Sequence, residues 1–153
     1  MANFIDKEEF WQCLKDYKER RIQAEQEGKP EPPIPEFAGK CFMLISENLA
    51  KRPNFRNYTF VEEMVGDGIE ACVRKAKKFD PDYSKQAFSY FTMIVWRTFI
   101  NRIRVEATQT KTKKRMIENA SVDLVNFLDG NIDQQKLSEI QEEALSHFTQ
   151  KED

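Results

Sequence analysis

Apolar side chains recur along this chain at helical rather than strand spacing. Phe10, Trp11, Leu14 and Tyr17 share one face of a helix predicted from about Asp6 to Glu27. Asp6 followed by Glu9 is a capping-box pattern, and Gly28 supplies a stop. The next segment, Gly28-Lys29-Pro30-Glu31-Pro32-Pro33-Ile34-Pro35, holds four of the six prolines. Proline fixes φ and lacks an amide hydrogen, so this stretch reads as an extended, semi-rigid linker and the first helix as an arm of its own. Apolar positions 37, 41, 44, 45 and 49 predict a second helix from Phe37 to Arg52, ended by Pro53. Thr59 and Glu62 repeat the capping-box pattern. They precede the cleanest periodicity in the chain: Val61, Met64, Val65, Ile69, Cys72, Val73 and Ala76. A third helix is expected from Phe60 to Lys78, broken by Phe79-Asp80-Pro81-Asp82. A fourth runs from Gln86 to Glu106. Its Phe88, Tyr90, Phe91, Ile94, Val95, Trp96, Phe99, Ile100 and Ile103 wrap around more than one face. Either it is a central helix buried on both sides, or some of these rings are exposed and bind something.

The chain has 153 residues, enough for one hydrophobic core without disulfides or metal. Hydrophobic residues make up 40% and charged residues 33%, as in a soluble globular protein. With 5 glycines and few turn signals after residue 36, a many-stranded sandwich or barrel is disfavoured and an all-α fold is expected. No apolar run is long enough to span a membrane. Met1 to Phe10 is acidic and lacks an export pattern.

A formal net charge of −2 hides an asymmetry. From Arg97 to Arg115 there are seven basic residues against one acid, Glu106; from Met116 to Asp153 there are nine acids against two lysines. The chain therefore divides into an N-terminal helical arm (1–27), a linker (28–35), a main domain (36–115) and an acidic C-terminal helical tail (116–153). Basic residues beside an aromatic helix suit nucleic acid, since cations neutralise phosphates while rings stack on unpaired bases. In the tail, Leu124, Val125, Phe127, Leu128, Ile132, Leu137, Ile140, Leu145 and Phe148 predict one or two short helices. These either dock on another surface or fold back on the core.

Catalytic chemistry finds no support. Gly66-Asp67-Gly68 sits inside a helical pattern and matches no phosphate loop, and the single histidine, His147, lies near the end of the chain. Cys13, Cys41 and Cys72 are far apart and form no metal-ligand spacing, so reduced core cysteines and no metal or cofactor are expected.

Several short motifs then occur in order. The turn Lys78-Phe79-Asp80-Pro81-Asp82 between two helices resembles the K-F-D-P turn of region two of bacterial sigma factors. Phe88-Ser89-Tyr90-Phe91 and Trp96-Arg97-Thr98-Phe99-Ile100-Asn101-Arg102 resemble the segments that follow it in that family. The chain is also similar to the late-gene sigma factors of T-even-type bacteriophages over residues 43–52, Asn54-Phe55, Asp67-Gly68-Ile69-Glu70-Ala71, Phe79-Asp80 and Asn101-Arg102-Ile103. The likeness covers about residues 40 to 130.

This resemblance implies a sigma region-two-like helical domain in a non-catalytic initiation factor, working in the cytoplasm of an infected bacterial host. Such a factor binds host core RNA polymerase and directs it to late promoters with a TATA-like minus-ten-type element. Matched position by position, Glu63, Met64, Asp67, Ile69 and Glu70 face the β′ clamp helices. Phe88, Tyr90 and Phe91 fall at ring contacts to the unpaired promoter strand, Thr98 and Asn101 at base edges upstream, and Arg97, Arg102 and Arg104 near phosphates. Leu137, Ile140, Leu145 and Phe148 of the tail are assigned to the β flap. A phage sliding clamp and a late co-activator are further implied partners, although Thr149-Gln150-Lys151-Glu152-Asp153 does not match the family's clamp-binding tail. Where primary sigma factors carry paired tryptophans, this chain has Ile94 and Val95. Two rival readings remain at this stage: a single-strand nucleic-acid-binding protein, and a polymerase-binding regulator without promoter contact.

Overall fold

A computed structural model describes residues 5–53, 55, 56, 58–106 and 110–128, together with 135, 138, 139 and 142. Among them are five helices, α1 (Lys7–Gln26), α2 (Glu36–Ala50), α3 (Val61–Lys75), α4 (Ala87–Glu106) and α5 (Thr110–Leu128), and no strand. None of these helices is long and apolar enough to cross a membrane.

The N-cap bond of the pattern at α1 forms: the Asp6 carboxylate accepts from the Glu9 amide at 3.0 Å. At the other end Gly28 takes φ +68°, where a side chain would be strained, and the Lys29 amide closes onto the Ala24 carbonyl at 2.8 Å. The pattern at α3 does not form. Phe60, not Thr59, occupies the cap position and makes no side-chain bond there. The chain instead enters through a turn in which the Tyr58 and Phe60 rings stack, 5.0 Å apart and within 6° of parallel. This helix also stops at Lys75, because Lys78 turns back to donate to the Lys75 carbonyl at 3.0 Å.

The first helix is not a detached arm. It buries Phe10, Trp11, Leu14 and Tyr17 in the common core. Phe10, Phe42 and Phe91, from α1, α2 and α4, meet with ring centroids 4.8–6.0 Å apart. The Trp11 indole N–H donates to the Pro81 and Ser84 carbonyls, both at 2.9 Å, and Lys18 bridges Asp80 and Asp82. These contacts fasten α1 to the α3–α4 turn; Lys18 holds the Asp80 carboxyl below its usual range. The proline segment is tied to the same turn by Lys77 and Glu31 at 2.6 Å.

The expected boundary between 115 and 116 falls inside α5. Ile117, Ala120, Leu124 and Leu128 form a helical stripe, all at 0% exposure, and the Trp96 indole N–H donates to the Ala120 carbonyl at 3.2 Å. Burial of that stripe, not the change in charge sign along the sequence, decides where the helix lies. All three cysteines are free thiols. Burial pushes Cys41 and Cys72 up to about 12.

Candidate nucleic-acid interface

Four helices surround α4, which packs against α1, α2, α3 and α5. That explains its excess of apolar residues: Ala87, Phe91, Met93, Val95, Trp96, Phe99, Ile100 and Ile103 are all buried. The central-helix reading holds. One stripe remains toward solvent. Tyr90, Ile94, Arg97, Asn101 and Arg104 recur at intervals of four and three, so they lie along a single face. Arg97 and Asn101 are exposed; Tyr90, Ile94 and Arg104 are half-buried. Tyr90 rests its ring on Phe79 and Phe91, at 4.9 and 5.0 Å. Burial raises its hydroxyl's pKa, and nearby Arg97 offsets part of that rise.

Two of the three expected ring contacts change. Phe91 is at 0% exposure among Phe10, Phe42, Phe79 and Tyr90, so it is a core side chain that no base reaches in this fold. Phe88 is half-buried, but it precedes Arg97 by nine residues, about two and a half turns, and so lies on the opposite side of α4. There it stacks on Phe127 of α5, with centroids 5.7 Å apart and planes within 16°. Lys7 lies over the Phe88 ring and Arg52 over the Phe127 ring. Val95, at one of the tandem-tryptophan positions, is fully buried, while Ile94 is on the open stripe.

Asp67 and Arg102, expected on two different surfaces, hold each other. The guanidinium donates to both carboxylate oxygens of Asp67, at 2.7 and 3.0 Å, and to Glu106 at 3.2 Å. The Asp67 bonds, more than Glu106, raise the arginine's pKa further. A bidentate pair of this kind joins α3 to α4 and satisfies a cation assigned to DNA phosphates. Thr98 donates its hydroxyl to the Ile94 carbonyl at 2.8 Å, inside its own helix. An open cleft of about 280 Å³ lies alongside, lined by Asp67, Glu70, Arg74, Thr98, Asn101, Arg102 and Val105.

Of the residues expected to dock on polymerase, Glu63 and Glu70 are exposed and Ile69 is half-buried. Met64 is at 0% exposure, packed in the core, and presents nothing to a partner. Leu137, Ile140, Leu145 and Phe148 lie outside the described residues, as does His147. Sequence reasoning missed Arg74 and Val105 beside the stripe, and the grouping of Lys7, Arg52 and Phe127 around Phe88. Helical spacing from Thr98 and Asn101 could have found Val105; no local signal brings the other residues together. Comparison with protein-family models, curated proteins and solved structures found no match.

Proposed function

We propose that this chain is a reduced, phage-type sigma factor. It binds host core RNA polymerase and directs it to late promoters by recognising and melting a TATA-like element. One observation carries the reading: the motif run from Lys78 to Arg102 occupies one turn and one helix. A stripe of that helix toward solvent holds Tyr90, Arg97, Asn101 and Arg104. A ring, two guanidinium groups and an amide along about 20 Å of helix suit a nucleic-acid groove, the arginines on phosphate and the amide on a base edge. Glu63 and Glu70 on α3 offer acidic contacts to a basic partner helix. In this reading Phe91 and Met64 serve the core, and Arg102 serves the α3–α4 junction.

The test is transcription from a late promoter by purified core polymerase with this chain added. Promoter-specific RNA, dependent on the chain, is the expected result. Binding to single strands with no effect of polymerase identifies a nucleic-acid-binding protein instead. Suppression of transcription by another sigma factor, with no promoter use of its own, identifies an inhibitor.

A further inference from the structure

We propose that Cys13 and Cys41 form a reversible disulfide when a peroxide oxidises the chain, fastening α1 to α2. This goes beyond the proposed function and does not depend on it. The two helices meet along one seam. Phe10 of α1 touches Phe42 of α2, with ring centroids 6.0 Å apart, and the Ala38 amide of α2 donates to the Cys13 sulfur. Numbers rise from 10 to 13 along α1 as they fall from 42 to 38 along α2, so the helices run antiparallel. Helical side chains lean toward the N-terminus of their own helix. In an antiparallel pair that tilts Cys13 toward the level of Phe42, and Cys41 toward the level of Ala38. The two thiols therefore converge within one turn of the seam. The charge of Glu9, one turn before Cys13, is felt by both thiols, and that of a Cys13 thiolate by Cys41.

The thiols differ in access and in readiness. Cys13 is half-buried and Cys41 buried. Pro35 caps α2 without a side-chain bond, so the Ala38 amide is among the orphan donors of the first turn and takes the Cys13 sulfur as its acceptor. Burial raises the pKa of the Cys13 thiol, and the Ala38 amide and the charge of Arg20 offset part of that rise. Cys41, pushed up to about 12 by burial, stays protonated at neutral pH. Cys13 is therefore the first to react. Its thiolate attacks one oxygen of hydrogen peroxide and the O–O bond breaks. Cys13 becomes a sulfenic acid, and the departing hydroxide takes up the thiol proton as water. The Cys41 sulfur then attacks the Cys13 sulfur. The S–O bond breaks, and a second water leaves with the Cys41 proton. Two thiols have lost two electrons and the peroxide has gained them. The link closes the chain between positions 13 and 41, proline segment included, which restricts the unfolded state. Cys72 sits elsewhere, on α3, with its thiol toward the Phe91 carbonyl of α4 at 3.9 Å.

The full-length chain is treated with excess hydrogen peroxide at low protein concentration, its remaining thiols are blocked, and it is digested with trypsin without reduction. Mass spectrometry is expected to find the peptide 8–15, which holds Cys13, joined to the peptide 41–51, which holds Cys41. Dithiothreitol should separate them. Cys72→Ser should leave the joined peptide in place, and Cys13→Ser should abolish it. Before digestion the oxidised wild-type chain should melt about 10 °C higher than the reduced chain. Should Cys13→Ser fail to fold, the wild-type peptide map carries the test by itself. The inference is overturned if Cys13 accumulates as a sulfenic or sulfinic acid with no joined peptide, if the link joins two chains or includes Cys72, or if the oxidised chain melts lower than the reduced one. None of these measurements uses polymerase or DNA, so the sigma-factor reading stands or fails separately.

Discussion

Phe91 shows how one side chain changes meaning once its neighbours are known. Its position in an F-S-Y-F segment matches a base-contacting ring, yet Phe10, Phe42, Phe79 and Tyr90 enclose it. Phe91→Ala should therefore lower stability by about 3–5 kcal/mol, read from denaturant unfolding. A premelted promoter should not restore its transcription, because the loss is of folded protein. Arg97 and Arg102 part company by position. Arg97 is exposed on the open stripe, while Arg102 is half-buried and joins α3 to α4 through its two bonds to Asp67. Arg97→Ala should make the salt slope of DNA binding shallower by about one unit. Arg102→Ala should change the slope by less and lower the melting temperature more. Equal slopes for the two variants would remove the distinction.

The third helix owes its close seating to a glycine that periodicity alone treats as a blemish. A Cβ on Gly68 would lie 2.6 Å from the Ser46 hydroxyl, 3.1 Å from Val95 and 3.3 Å from Phe99. The Ser46 hydroxyl is committed to the Val65 carbonyl at 2.9 Å, so relief of the clash breaks a bond between α2 and α3. Gly66, two residues earlier, has nothing within 4 Å of its would-be Cβ. Gly68→Ala should cost about 1–3 kcal/mol by overpacking. Gly66→Ala should gain about 0.5–1 kcal/mol by relieving the entropic cost of glycine in a helix. Thermal melts of the pair check both signs. The helices themselves were legible, since Val61 to Ala76 announces its buried face through i, i+3, i+4 recurrence. Their ends were less so. Asp6 caps α1 as its spacing suggests, but Thr59 loses the same role to a turn that stacked rings determine.

Across the molecule, α4 acts as a post that the other helices surround, and α1 and α5 complete the wrapping. Deletion of residues 1–27 should abolish cooperative melting, because it uncovers Phe42 and Phe91 and strips the α3–α4 turn of the Trp11 and Lys18 bonds. Deletion from residue 116 onward should do the same by removing Ile117, Ala120, Leu124 and Leu128 and leaving the Trp96 N–H without its carbonyl. Deletion from residue 129 onward keeps all of these and should leave cooperative melting intact. Circular dichroism melts of the three truncations separate an integral α1 and α5 from dispensable arms. A folded, cooperative 36–115 fragment would sink this account of the core.

Helical class, the approximate span of α1 to α4 and the open turn at Phe79-Asp80-Pro81 were all legible in the residues, because each depends on neighbours within a few positions. The same holds for the stripe of Tyr90, Ile94, Arg97, Asn101 and Arg104, whose shared face follows from helical geometry. Which face of α4 stayed open could not be read there. That was settled when α1 covered Phe91, α5 covered Trp96 and Phe88, and α3 supplied Asp67 to Arg102. Those partners stand 24 to 81 residues from the side chains they cover or pair with. Periodicity reports that a face must be buried but not against what. The proline segment and the change of charge at residue 115 looked like boundaries for the same reason. Both are local features, and packing between distant helices runs across them.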